Sequence, residues 1–367
     1  IFHPYAHQLT YSCGLLPLRS SARTMIFINH NGRNLSHTGM DDFYRAVEIF
    51  TKASLASGII LNLLLIFLVK TYSRADIGTF QYLLITFASY DLLLIILDYF
   101  FDPKSFVLPG ILGLVLDFPY GSRLLTLLHC ISFMVSYAIL MTHLLYRYWV
   151  IRKPFKIELF SSPIFVMKLC TAVIVAYGAL AFGCFSVLSP ENSQATQLMK
   201  NEFRRKFGRD LEDGWVIADF WPNGEYDVPV ICAALAVDGM GVAILVVVTT
   251  LASFTYRHIS AAFSLSPKTR SAQMRLLTTV CVQTFIPMVC VTIPYFCNTT
   301  LPAFGITFPF IADISGVFMS LFPSWDPLAV IVLMKPYRNG LLSMVTCSKV
   351  KKIGCGADQR MSTVATI

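Results

Sequence analysis

Four ionisable side chains interrupt long apolar stretches of this chain, one in each of four stretches. They are Asp98, His129, Asp238 and Asp313. Each such group costs several kcal/mol in an apolar medium unless it is paired or hydrated. Carboxylates and an imidazole at similar depth favour a site that binds a small polar molecule. We predict that they surround one cavity, with Phe285 and Tyr295 in its walls. The alternative is that each group only bonds to a neighbouring helix.

A second set of polar groups lies where ligand contact is not expected. Asp91 and Asn62 fall near the middle of their stretches, which favours bonding between helices or a bound sodium ion. Arg147, at the end of the third stretch, is placed to reach the interface or to pair inside a bundle. Asp326 directly precedes Pro327, which predicts a distorted, polar segment in the seventh stretch.

The chain lacks the residue patterns of an enzyme or a metal centre. A nucleophile beside a base is missing, and so are paired acids in a shared motif. No two cysteines have the spacing of a zinc site. The sequence therefore predicts no catalytic activity, no cofactor and no metal.

The apolar stretches are long enough to be membrane helices. Each is near the roughly 20 residues that a helix needs to cross about 30 Å of hydrocarbon. That medium allows only helices or a closed barrel, and ten-residue alternating strand patterns are absent. Hydrophobic residues make up 55% and charged residues 14% of the chain, which excludes a soluble domain. We predict an all-α membrane protein, a seven-transmembrane helix bundle with spans at residues 53–69, 82–101, 124–150, 163–188, 228–254, 276–297 and 304–334.

The charge of the connecting segments predicts the orientation of the bundle. One side carries 17 of the 29 Lys and Arg residues and three acids, a formal charge of +14. Cytoplasmic loops collect Lys and Arg, so this side is predicted to face inward. Residues 1–45 then form an extracellular segment, residues 46–335 the membrane domain and residues 336–367 a cytoplasmic tail. The overall charge of +8 indicates anionic membrane lipids and cytosolic proteins as partners, not nucleic acid.

Asparagine and cysteine positions predict covalent modifications. Asn34 and Asn298 begin glycosylation sequons, and both fall on the predicted outer side. Cys347 and Cys355 lie in the basic tail, where S-acylation would fix the tail to the bilayer; unmodified thiols are the alternative. The candidates for an outer disulfide are Cys13 and Cys297.

Two amphipathic helices are expected outside the spans. In the longest loop, residues 189–227, Ser189-Pro190-Glu191 is typical of a helix start and Gly208 of a helix end. This helix either packs on the bundle surface or forms a lid over a binding pocket. Its apolar face would contain Ala195, Leu198, Met199, Phe203 and Phe207. A second, short helix on the inner leaflet is predicted by the apolar stripe of Tyr337, Leu341, Met344 and Val345.

Several segments, in a fixed order and spacing, resemble those of a known family. They are Ile77-Gly78-Thr79-Phe80-Gln81-Tyr82-Leu83-Leu84, Tyr146-Arg147-Tyr148 with Arg152-Lys153-Pro154, residues 283–287 with Pro294, and Pro323-Ser324-Trp325-Asp326-Pro327 followed by Pro336-Tyr337-Arg338. From about residue 46 to 347 the chain resembles the nematode serpentine chemoreceptors of the Str group, or their sister group Srj. These are seven-span proteins similar to G-protein-coupled receptors.

The resemblance implies a chemosensory receptor in the plasma membrane of sensory-neuron cilia. Such a receptor binds small, often volatile molecules outside and activates a heterotrimeric G protein inside. The arginine at the base of the third helix would be Arg147, but the acid usually before it is Tyr146, so an ionic lock built on that acid cannot form. Residues implied in G-protein coupling are Arg147, Tyr148, Arg152, Lys153, Arg257, Lys268 and Arg270. Residues implied in switching are Asp91, Pro287, Pro294, Asp326 and Pro327.

Two other functions remain as alternatives. An odorant-gated ion channel would have the opposite topology, with its N-terminus inside. A transporter would show matched, interrupted repeats in its two halves, which this sequence lacks.

Overall fold

The computed structural model describes residues 37–73, 80–152, 155, 157–185, 187–188, 193–261 and 266–346. Asn34 and Cys13 precede the described part, Cys347 and Cys355 follow it, and Lys153 falls in a gap. What the sequence predicts for these residues therefore stays a prediction.

Helices dominate the described part of the chain. Seven helical segments there are long and apolar enough to cross a bilayer, which confirms the predicted number of spans. The spans are formed in order by α1, α2, α3, α5, α7, the pair α8 and α9, and α10. The first helix starts earlier than predicted, at His37, so the boundary drawn between residues 45 and 46 falls inside it. The helices are α1 (His37–Tyr72), α2 (Phe80–Phe101), α3 (Arg123–Arg152), α4 (Glu158–Ser161), α5 (Pro163–Phe185), α6 (Gln194–Phe207), α7 (Val228–Ala261), α8 (Pro267–Pro287), α9 (Ile293–Ala303), α10 (Pro309–Leu333) and α11 (Lys335–Val345).

A three-stranded antiparallel sheet covers one end of the bundle. Its strands are β1 (Pro103–Leu108), β2 (Ile111–Leu116) and β3 (Val216–Asp219), in the order β1-β2-β3. The first two form a hairpin in which Leu108 pairs with Ile111, and Gly110 supplies the positive φ of the turn. The all-α prediction is therefore wrong for the loops. These strands have only four to six residues. The pattern whose absence favoured helices is that of ten-residue membrane strands, and it does not detect strands this short.

The predicted loop helix exists as α6 and packs on this sheet. It begins at Gln194, four residues later than predicted, because Ser193 and not Ser189 is the residue whose hydroxyl caps the helix by accepting from the Thr196 amide. It ends where predicted, at Gly208 with φ of 69°. Leu198 of the predicted apolar face is exposed instead. The apolar contact between α6 and the sheet contains Phe106, Ile111, Val115, Ala195, Met199, Phe203, Trp215 and Ile217.

The opposite face of the sheet packs on the spans. Val107, Leu112 and Ala218 belong to one apolar cluster with Val230 of α7 and Ala312 of α10. The sheet is therefore a layer between α6 and the bundle, and we call β1–β3 with α6 the cap. The end of the bundle under the cap is the sheet end, and the opposite end, where α3, α7 and α10 finish, is the basic end.

One aromatic side chain fastens the cap to the connection between the sixth and seventh spans. The half-buried Trp221, just after β3, lies against Gly305 in the turn between α9 and α10. A Cβ added at Gly305 would lie 2.6 Å from the indole ring, and its φ of +72° suits glycine. Both facts require glycine at this position.

We expect Gly305→Ala to lower the stability of the protein by about 1–3 kcal/mol, because the change strains the backbone and displaces the indole. Unfolding of the purified protein in detergent, titrated with SDS, measures the effect. Gly316→Ala in α10 is the matched control, since a Cβ there meets nothing within 4 Å. Equal stability of the two variants would contradict the role assigned to Trp221.

Candidate functional site

Two of the four predicted ionisable groups, Asp98 and His129, lie together at the sheet end, between α2 and α3. His129 Nε2 is 3.3 Å from Asp98 Oδ1, and both side chains are buried. The imidazole also meets the rings of Phe101 and Phe133 edge to face. The pair ties two spans together and is closed off by aromatic rings.

Asp238 of α7 is satisfied by the sixth span. Its two carboxylate oxygens accept hydrogen bonds from Thr299 at 2.8 Å and from Thr300 at 2.5 Å. The carboxylate is buried. These bonds fix the height of α9 against α7.

Asp313 of α10 pairs with the cap rather than with another span. Its partner is Lys206 of α6, whose ammonium also lies 4.4 Å from the ring centre of Tyr44 in α1. Both side chains of the pair are only 13% exposed. The cap is therefore fastened to the first and seventh spans by one lysine.

A cavity does exist at the sheet end, but the four ionisable groups do not line it. It lies between the sheet and the fourth, fifth and sixth spans. The space open to the centre of a water-sized sphere is about 40 Å³, and the space unfilled by atoms, open side included, is about 450 Å³. The four groups instead have separate partners: Asp98 lies beside His129, Asp238 bonds to Thr299 and Thr300, and Asp313 pairs with Lys206. The wall of the cavity consists of Leu112, Leu114, Cys184, Phe185, Leu188, Val216, Ala218, Phe220, Val230, Ala233, Ala234, Val237, Tyr295 and Thr299.

Of the two predicted wall residues, the structure places only Tyr295 in the cavity. Phe285 is 67% exposed on the outside of the bundle, so that part of the prediction is wrong. Position along a helix indicates depth in the membrane, but the direction of a side chain depends on how the helix is rotated. Thr299 connects the wall to Asp238, so a polar group lies one hydrogen bond behind an apolar surface.

The wall residues of β2 and β3 were missed by sequence reasoning. Leu108-Pro109-Gly110-Ile111 lies between two apolar runs and is a hairpin signal that would have revealed β1 and β2. No comparable local signal marks β3, which is only four residues long.

A polar cluster joins the first, sixth and seventh spans in the middle of the bundle. Pro327 has no N–H, so the carbonyl of Pro323 loses its helical donor. Asn62 of α1 donates to that carbonyl at 2.7 Å, and Gln283 of α8 donates to Asp326 at 2.9 Å. Asn62 thus bonds two helices through its amide nitrogen, and a sodium ion at its oxygen stays a prediction. Asp91 is fully buried and accepts no hydrogen bond from the described residues, so the sodium-ion hypothesis for it stays a prediction.

The sixth span changes its winding between its two prolines. Met288–Thr292 forms one π-helical turn, between Pro287 and Pro294. Such turns interrupt the regular bonding of an α-helix and are frequent at functional sites. The hydroxyls of Thr292 and of Tyr137 in α3 are 2.7 Å apart, which ties the irregular turn to the third span.

Arg147 lies inside the basic end and is 3% exposed. Its guanidinium carbon is 3.7 Å from the ring centre of Phe80 and 5.4 Å from that of Tyr146. Its Nε and Nη2 have no acceptor among the described residues. Tyr337 of α11 is also fully buried; burial raises the pKa of its phenol, so it stays neutral and is no counter-ion.

The other described residues expected to couple to a G protein also belong to segments at the basic end. Arg152, Arg257 and Arg270 are exposed. The ring of Tyr148 lies 6.2 Å from that of His258 and connects α3 with α7. Lys268 is in the first turn of α8.

Sequence comparison gives the family of this bundle. The profile described as "Serpentine type 7TM GPCR chemoreceptor Str" matches residues 47–342. The chain belongs to the Str family of serpentine receptors. Two similar proteins of Caenorhabditis elegans are serpentine receptor class J-38, 25% identical over 78% of this chain and 90% of the relative, and serpentine receptor class r-10, 20% identical over 80% and 88%. A third, serpentine receptor class delta-1, is 24% identical over 79% and 78%.

The structure contradicts one predicted modification of this Str receptor. Asn298 is buried within the sixth span, and its side-chain amide donates to Ser315 of the seventh at 3.0 Å. A glycan on that nitrogen would have to separate the two helices. The pairing of Cys297 with Cys13 stays a prediction.

A double-mutant cycle on Lys206 and Asp313 is expected to show a coupling of about 1–3 kcal/mol, because each single change leaves a buried charge without its partner. Lys206→Met, Asp313→Asn and the double variant of the Str receptor are compared by SDS titration. The same cycle on Glu48 and Lys52, which are 62% and 65% exposed, is the control and should give less than about 0.5 kcal/mol. Additive effects at Lys206 and Asp313 would show that the cap is not fastened by this pair.

Proposed function

We propose that this Str-family protein is a chemosensory receptor that binds small molecules in the sheet-end cavity and activates a heterotrimeric G protein at the basic end. The observation that carries the proposal is the cavity itself. Binding sites for small molecules are concave, mostly apolar and served by a few polar groups. This cavity is apolar except for Tyr295, Thr299 and Cys184.

The chemistry of the wall favours a small, mainly apolar ligand. The Tyr295 hydroxyl makes no hydrogen bond to the described residues, and the Thr299 hydroxyl is bonded to Asp238. A ligand with one polar group near Tyr295 would satisfy that hydroxyl and bury its remaining surface against Leu112 and Phe185. Burying apolar surface contributes about 25 cal/mol per Å².

The cavity lies next to the part of the sixth span that we propose to be the switch. Tyr295 and Thr299 belong to α9, which follows the π-helical turn Met288–Thr292 directly. A ligand shifts an equilibrium only if it binds the two states unequally. Contact with α9 therefore supports a mechanism in which the ligand changes the angle between α9 and α8, and so the basic end of the sixth span.

The proposed orientation puts the cap outside and the basic end in the cytoplasm. It rests on the +14 formal charge of the basic side, and the exposed arginines there suit a G protein and anionic lipids. The resemblance supports residence in the plasma membrane of sensory-neuron cilia. S-acylation of Cys347 and Cys355 would hold the tail against the inner leaflet.

The orientation is tested with epitopes. One placed before Ile1 should be detected on intact cells, and one after Ile367 only after permeabilisation. Loss of a glycan in an Asn34→Gln variant, seen as faster migration on a gel, gives an independent measurement. The reverse pattern of epitopes would revive the ion-channel alternative.

The cavity is tested by filling it. A panel of odorants is first applied to cells that express the receptor, with a second-messenger readout. Ala234→Phe places a ring in the cavity and should weaken the response to an identified odorant by tenfold or more, equivalent to about 1.4 kcal/mol of binding. Ala243→Phe, on an exposed face of the same helix, is the matched control. An unchanged response of Ala234→Phe at normal surface level would show that the ligand binds elsewhere.

A further inference from the structure

The cation of Arg147 is buried, and the residue before it, where an acid is usual in such receptors, is Tyr146. Moving a guanidinium out of water is costly unless another group replaces the interactions it loses. Among the described residues, no carboxylate lies within 4 Å of it. What faces the guanidinium at short range is the Phe80 ring, 3.7 Å from carbon to ring centre.

Phe80 is held rigidly in this position. It is the first residue of α2 and has no exposed surface. Its ring stacks on Tyr146 with centres 5.9 Å apart, and Tyr146 in turn meets Phe160 edge to face at 5.2 Å. A ring fixed by neighbouring rings keeps its electron-rich face toward the cation, and loss of water strengthens that attraction.

We propose that Phe80 is a positioning residue that retains Arg147 inside the bundle and so holds the receptor in its inactive state. The inference deepens the proposed function and rests on it, because Arg147 has to leave this place to meet a G protein. Tyr146 occupies the place of the usual acid, and the Phe80 ring supplies the restraint. The lock is aromatic instead of ionic.

This lock ties the start of α2 to the end of α3. Leu276 and Leu277 of α8 belong to the same apolar cluster as Phe80 and Tyr146. Outward movement of α8 would open that cluster and free the arginine, so release of Arg147 and displacement of the sixth span are expected to occur together.

The test measures both events without a ligand. A Met274→Cys variant, with the other reactive cysteines replaced, carries a bimane label at the basic end of α8 and is studied in lipid nanodiscs. Phe80→Leu should shift the bimane emission toward that of an exposed label. It should also raise binding of a GTP analogue to added G-protein subunits about three- to tenfold. Phe80→Tyr, which keeps a ring, should match the unsubstituted receptor.

Controls separate the cation–ring contact from ordinary packing. Phe87→Leu removes an equally buried ring seven residues along α2, where the neighbours are His143 and Phe322 and not a cation. It should leave the emission unchanged. In an Arg147→Ala background, Phe80→Leu should have no additional effect, because the contact is already gone. Phe80→Met, a second variant without a ring, replaces Phe80→Leu if the latter does not reach the membrane.

The outcomes are distinct. The lock is overturned if neither ring-free variant shifts the emission or if Phe87→Leu shifts it equally. It is also overturned if Asp76→Asn, an acid in the segment 74–79 outside the described residues, shifts the emission while the ring-free variants do not, because an acid is then the restraint. A shift of the emission without nucleotide exchange on any G protein supports the lock and refutes the G-protein part of the proposed function.

Discussion

The structure depends on one constraint: inside hydrocarbon, a polar group has to find its partner within the protein. The polar contacts between spans described above each give a buried polar group a partner on another helix. Pro327 leaves the carbonyl of Pro323 without a donor, and Asn62 of another helix supplies one at 2.7 Å. Asp238 takes two threonine hydroxyls from the sixth span. Polar residues therefore fix which helices are neighbours, while apolar residues, satisfied equally by lipid, fix little beyond the existence of the spans.

Outside the hydrocarbon the constraint is relaxed, and the chain uses a different architecture. The cap has a sheet with strands of four to six residues and its own apolar layer under α6. It meets the bundle at chemically different points, an ion pair at Asp313 and an indole against Gly305. Because both points lie on the seventh span or on the turn before it, the cap is attached to the seventh span at each of them.

Sequence reasoning succeeded where the signal is local and failed where it depends on distant packing. Hydropathy and length predicted seven spans, and Gly208 predicted the end of α6 because a positive φ is a property of one residue. The partner of Asp313 is 107 residues away in sequence and could not be foreseen. Phe285 was assigned to the cavity by depth alone, although the rotation of its helix turns it outward.

The sixth span carries every step that the proposed signal needs, in order along one helix. Tyr295 and Thr299 line the cavity, Met288–Thr292 forms the π-helical turn, and Gln283 bonds to Asp326 of the seventh span at 2.9 Å. Leu276 and Leu277 then pack in the cluster that encloses Arg147. A continuous α-helix would move as one rod, so a ligand at one end would have to displace all of these contacts at once. The π-helical turn divides the span, so in the proposed mechanism a ligand changes the angle between α9 and α8 and thereby moves the basic end of α8, while Gln283 still bonds to Asp326 of the seventh span. In this mechanism the ligand changes the conformation of a single turn of backbone. A difference of a few kcal/mol in its binding free energy between the two conformations suffices to alter their populations.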